Sequence, residues 1–92
     1  MNDFVVGCRH GEPYRFYKRF PIQIEKQPSG IWIAKSQNVT IMSWALSKEK
    51  AKRNFRSELI YLFQRLKSKD YWDLIPQGRR ERIILAQYLR PN

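Results

Sequence analysis

Ninety-two residues allow one small domain with a thin core, and 18 Lys and Arg against 8 Asp and Glu give a net charge of +10, beyond the roughly 2 to 8 that solubility asks of a small domain. That balance points to a polyanionic or acidic partner, nucleic acid first. One Cys excludes an internal disulfide, and with no run of about 20 apolar residues and no charged-then-apolar leader the chain reads as cytosolic, in a cell or in an infected host cell.

The first element is a short strand over Phe4–Cys8, in which Cys8 reads as a small buried hydrophobe; it ends in the turn His10-Gly11-Glu12-Pro13. His10 is the only His and no second His or Cys stands at ligand spacing, so no metal and no cofactor is expected. From Tyr14 to Lys26 the chain alternates. Tyr14, Phe16, Lys18, Phe20, Ile22 and Ile24 share one face of a strand, and Arg15, Tyr17, Arg19, Pro21, Gln23 and Glu25 the other. Pro21 cannot donate to a ladder, so it implies either an edge position or two strands meeting there. Gln27-Pro28-Ser29-Gly30 is a turn, Ile31–Lys35 a return strand, Ser36-Gln37-Asn38 a further turn and Val39–Ala45 another strand. The result is a three-stranded antiparallel meander, extended to four if the N-terminal strand joins it.

A long amphipathic helix follows over Ser47–Lys67, capped by the Ser47 hydroxyl. At about 100° per residue, Ala51, Phe55, Leu59, Leu62 and Leu66 form one stripe that faces the sheet. Lys52, Arg53, Arg56 and Lys67 fall on the other side, interrupted by Ile60 and Phe63. These two apolar groups need a cover, either the C-terminal segment or a second subunit. Residues 48 to 56 hold five cations against Glu49. A helix N-terminus is itself partly positive, so this arrangement opposes helix stability and asks for an anionic partner. The C-terminal segment, residues 70 to 90, reads as a break at Pro76 and Gly78 and then a helix from Arg79 to Arg90, stopped by Pro91. Asp70 and Asp73 read as capping residues. Arg79, Arg80 and Arg82 repeat the cation-rich helix start, and Ile83, Ile84, Leu85, Tyr88 and Leu89 make the helix apolar nearly all round.

The fold class is therefore α+β: a single domain, residues 1 to 92, with a three- to four-stranded antiparallel sheet packed by one long helix and a short C-terminal helix. The second half carries 12 cations and 5 anions against 6 and 3 in residues 1 to 46, so it dominates the field. The leading function is nucleic-acid binding, DNA or RNA, as a small regulator. Lys48, Lys52, Arg53, Arg56, Arg15, Arg19, Arg79 and Arg80 are the phosphate-contact candidates, and Tyr14, Tyr17 and Trp32 the candidates for stacking on bases. A homodimer is expected through the 79 to 90 helix and the Ile60 and Phe63 side of the long helix, with Ile84 and Tyr88 in the interface. Catalysis is not expected. There is no phosphate loop, no carboxylate cluster and no nucleophile beside a His, and an RNA-cleaving enzyme would have only His10 as a general base.

Residues 20 to 66 resemble the HicB-like antitoxin domain. The order Phe20-Pro21-Ile22-Gln23-Ile24-Glu25-Lys26, the Pro28-Ser29-Gly30 turn, Ile31-Trp32-Ile33-Ala34, a further strand and then a helix opening carry the likeness, with Ser47, Glu49, Ala51 and Asn54 in that family's helix-start positions and Gly30 and Trp32 in its hairpin. The chain departs from the pattern where Ser36-Gln37-Asn38-Val39-Thr40 replaces the usual Pro-Gly-Cys element, and in being basic where such antitoxins tend to be acidic. The resemblance implies an open sheet with one helix. As the alternative function, it implies a protein-binding module, antitoxin-like or inhibitor-like, that sets its basic face on an acidic protein.

Overall fold

The computed structural model describes residues 1 to 92. Five strands, β1 (Asn2–Gly7), β2 (Tyr14–Lys26), β3 (Trp32–Lys35), β4 (Met42–Ala45) and β5 (Leu89–Pro91), form one antiparallel sheet in the order β1-β2-β3-β4, with β5 added to β2. Two helices, α1 (Lys48–Lys67) and α2 (Pro76–Ala86), pack with it, joined by a single 3-10 turn at Tyr71–Asp73. No helix is long and apolar enough to cross a membrane.

β2 is the spine. It pairs with β1 through residues 16 to 23, with β3 through 23 to 26 and with β5 through 14 to 16. Its alternation is as the sequence predicts: Phe16, Phe20, Ile22 and Ile24 are buried, and Arg15, Tyr17, Arg19, Pro21 and Glu25 are exposed. Lys18 is the exception, exposed although its parity puts it on the apolar face. The ladder explains this. Val5 faces Phe20 and Gly7 faces Phe16, so two residues of β1 span four of β2, and the surplus bulges outward around Tyr17–Arg19. Pro21 faces Phe4 of β1 and lies where β2 has neither β3 nor β5 on its other side, so its missing N–H leaves no gap in a ladder.

The sequence placed α1 correctly, with Ser47 Oγ accepting the Lys50 N–H at 3.2 Å, but its buried face is wider than the expected stripe. Ala51, Phe55, Leu59, Ile60, Phe63 and Leu66 are buried, and Leu62 only half so. Ile60 and Phe63 are 2 and 3 % exposed within the single chain. The expectation that they are free for a dimer interface is therefore corrected: the Tyr14 ring meets Phe63 edge-on at 5.0 Å, and Leu85 and Leu89 join Ile60 and Phe63 in the same core. The cover is the chain's own C-terminal segment.

That segment differs from its reading in several respects. α2 starts at Pro76, a favourable first helical residue because its fixed φ suits the helix and it has no N–H to leave unpaired. Gly78 does not break it; it is buried inside the helix, where a Cβ would make ordinary contact with Leu66 Cδ2 at 3.4 Å and with Leu74. Arg79, Arg80 and Arg82 consequently begin one turn into the helix, and no acidic residue lies in its first turn. The helix ends at Ala86, and residues 89 to 91 become β5, because the first residues of β2 have an unpaired side that the returning chain can fill. Tyr17 N–H donates to Tyr88 O at 3.1 Å and Asn92 N–H to Pro13 O at 3.0 Å. Tyr88 is half-buried, its ring edge-on to Phe20 at 4.9 Å, and Ile84 packs against the core, so neither is a free contact residue. Asp70 and Asp73 provide no side-chain cap. Cys8 is half-buried just past β1, with Sγ 3.2 Å from Asn92 Nδ2.

Phe63→Ala should cost about 3 to 5 kcal/mol and Ile60→Ala about 2 to 5, as full core truncations do. Urea unfolding at two protein concentrations checks this. Losses independent of concentration are expected, whereas residues serving a dimer would show a loss that shrinks on dilution, where parent and variant are both monomers.

Candidate nucleic-acid interface

Only Lys48 and Lys52, of all the Lys and Arg side chains, lie within ion-pair distance of a carboxylate, and they share the same one: Asp3 of β1, at 3.6 and 3.0 Å. Asp3 also accepts the N–H of Phe4 at 2.8 Å. Burial pushes its carboxyl pKa up, but the Phe4 N–H, the hydrogen bond from Lys52 and the charges of Lys52 and Lys48 outweigh that and hold it below the ordinary range. The result is a clamp between the edge strand and the start of α1. It accounts for two of the five cations at that helix opening on structural grounds and leaves Lys50, Arg53 and Arg56 without a carboxylate.

Beside the clamp lies a groove of about 400 Å³ between the free edge of β1 and the first half of α1. Phe4, Val5 and Val6 form one wall, and Lys52, Arg53 and Arg56 the other, with Glu49 as the one anion. Arg53 is exposed. Arg56 is half-buried, and its Nε is withdrawn from solvent with no hydrogen-bond acceptor, the one buried side-chain nitrogen in that position. The Arg19 guanidinium lies over the Phe4 ring at 4.5 Å and Lys52 Nζ at 5.4 Å, so a fourth cation comes round the strand edge from the uncovered side of the sheet.

On that uncovered side Arg15 of β2 stands directly opposite Arg90 of β5. Like charges across a ladder are destabilising. Arg90 relieves part of the cost locally: it lies over the Tyr17 ring at 4.1 Å, donates to Tyr17 Oη at 2.9 Å, and donates to the carbonyls of Ala86 and Leu89. Arg79 and Arg80 belong to neither group. Arg79 donates to Leu74 O at 3.0 Å and lies 5.4 Å from the Trp72 ring, and Arg80 donates to Gln77 Oε1 at 3.0 Å.

The structure thus gathers Lys52, Arg53, Arg56 and Arg19, with Lys48 alongside; it sets Arg15 apart on the open face and Arg79 and Arg80 on α2. The stacking candidates are all engaged internally. Tyr14 packs on Phe63, Trp32 packs against the core, and Tyr17 is covered by Arg90 and donates to Gln87 O. Two site residues escape the sequence reading: Phe4 reads there only as part of the apolar N-terminal strand, and Asp3, which precedes that strand, is assigned no role. The spacing of Asp3 before an alternating strand held no signal, because its partners are 45 and 49 residues away. No family model, no curated protein and no solved structure matches the chain.

Asp3→Asn should destabilise the protein by about 1 kcal/mol at neutral pH, the scale of one hydrogen-bonded pair only partly withdrawn from water. A carboxyl whose folded pKa is lowered stabilises above its unfolded value, about 3.9, and loses that contribution as pH falls through the folded one. The gap between parent and variant should therefore be full above about pH 5 and close below about pH 4. Thermal melts across that range check it, and a gap that persists at low pH would show that the side chain's shape, not its charge, matters.

Proposed function

We propose that the protein binds nucleic acid through the β1–α1 groove, with Arg53 and Arg56 as the principal phosphate contacts and Lys52 and Arg19 completing the positive rim. The observation that supports this most directly is the arrangement of Arg56: a guanidinium nitrogen removed from water, in a wall of cations, with no acceptor. Leaving such a donor unmet costs about 1 to 3 kcal/mol. A turn of the Arg56 side chain into the groove would bring that nitrogen within reach of a phosphate, which offers charge-assisted, bidentate hydrogen bonds of the kind arginine makes best.

The apolar wall of Phe4, Val5 and Val6 suits the same ligand, since a sugar-phosphate chain presents apolar sugar edges between its charges. Contacts of this type position a nucleic acid without reading its bases, so the binding expected is weakly sequence-selective and strongly salt-dependent. Arg15 and Arg90 extend the positive potential over the open sheet face and raise the rate of encounter. The proposal assigns the groove no chemistry beyond holding phosphate. The alternative, a protein-binding module, antitoxin-like or inhibitor-like, would set the same basic groove on an acidic protein.

Fluorescence anisotropy with a labelled oligonucleotide over a range of salt tests the proposal. The log-log slope should be about −0.7 to −0.9 per phosphate contacted, and Arg53→Gln with Arg56→Gln should flatten it by about two contacts while leaving the melting temperature unchanged within a few degrees. A slope near zero in the parent protein would remove the nucleic-acid reading and leave the protein-partner one.

A further inference from the structure

The two outer strands of the sheet are finished differently. Natural edge strands carry Lys, Pro, a bulge or a cover that stops another chain from pairing with them. β1 has such protection: the Asp3 carboxylate takes the Phe4 N–H, and Lys48 and Lys52 reach across from α1. β4 has none. It is the last strand in the order, is paired on one side only, and runs in regular register with β3. It lies within Ser36–Ser47, twelve residues without a charged side chain in a chain that is 28 % charged. Met42, Trp44 and Leu46 are 62, 63 and 80 % exposed. An open groove of about 270 Å³, lined by Met42, Ser43, Trp44, Asn54 and Glu58, runs between the β4 edge and α1.

We propose that β4 pairs antiparallel with β4 of a second copy, making a two-fold dimer with one continuous sheet. Charge selects this occupant. Nucleic acid and acidic proteins bind cations, and the strip from Ser36 to Ser47 offers none; the one charged group in the groove is Glu58, which repels both. A second copy carries a strip equally neutral, so two chains of net charge +10 meet where pairing sets no cation against another. A two-fold axis also uses the exposed Trp44 and Met42 twice, once from each chain.

Sedimentation velocity from low to high micromolar protein, with the melting temperature followed over the same range, tests the proposal independently of any nucleic acid. The parent should dimerise and melt higher as concentration rises. Met42→Lys with Trp44→Lys, both at solvent-facing positions, should weaken association about a hundredfold or more, because it places like charges across the interface. Ile83→Lys, on the exposed part of α2, should leave it intact. A parent that stays monomeric throughout, or a dimer dissolved by the α2 change and not by the β4 pair, would overturn the proposal. Should the β4 variant fail to fold, hydrogen exchange in the parent decides: the β4 amides that do not face β3 should exchange more slowly at high concentration, and equal rates at both concentrations would refute the pairing.

Discussion

Phe16, Phe20, Ile22 and Ile24 lie on one face of a single strand and are between 0 and 3 % exposed, and the burial of that face sets the rest of the architecture. β2 is too long for any one partner, so β1, β3 and β5 each pair with a part of it. Its inner face is too wide for α1 alone. Ile60 and Phe63 extend the helix's apolar surface toward α2 and β5, and the C-terminal segment returns to close the core over Phe16, Phe20 and Phe63. At about 1.5 to 3 kcal/mol for each large side chain fully buried, these few residues carry a large share of the stability open to a domain of this size. A segment that looked greasy enough for a dimer interface is instead the third wall of a small core.

The positive charge is accommodated without being cancelled. Eight Lys and Arg side chains, among them Arg19, Arg79 and Arg90, lie within 6 Å of an aromatic ring, whereas only two meet a carboxylate. The difference is electrostatic. A cation over a ring gains about 0.5 to 1 kcal/mol at an exposed site and keeps its full charge, while a salt bridge would neutralise it. An exposed ion pair is worth about as much, a median of about 0 to 1 kcal/mol, and with 8 Asp and Glu for 18 Lys and Arg most cations have no carboxylate to meet. The pattern fixes the geometry of many cations while preserving the field they make together.

Much of the fold was legible because its signals are local. Alternation through Phe16, Phe20, Ile22 and Ile24, the turn at Pro28-Ser29-Gly30, and the Ser47 cap each lie within a few residues of what they determine. What stayed hidden depends on partners far along the chain. Leu89 reads as helix by composition, yet the open side of β2, over seventy residues earlier, draws it into a strand. Lys18 obeys the parity of its strand until the mismatch with β1 turns it outward. Of the candidate site, Lys52, Arg53, Arg56 and Arg19 were nameable one by one, but that they converge on Phe4 and that Arg79 and Arg80 do not could be known only from the packing of α1 against β1.

On the two proposals, the edges of the sheet would have complementary tasks. β1 is closed to strand pairing by Asp3 and its lysines and carries the cationic groove; β4 is open to pairing and carries no charge. With β4 joined to its copy, the two grooves would lie at the outer edges of eight strands, about 34 Å apart at the usual strand spacing. That distance is close to one turn of duplex DNA, but the sheet's twist decides against a simple match. At roughly 20 to 25° per strand the seven steps accumulate about 140 to 175°, which turns the two grooves nearly back to back. Such a particle suits a flexible strand that passes around it, or two strands held together, better than one side of a straight duplex. In the proposed dimer the same twist would keep the groove-lining cations of one copy away from those of the other, so the neutral β4 edge and the distant charged edges would together reduce the repulsion between two highly basic chains.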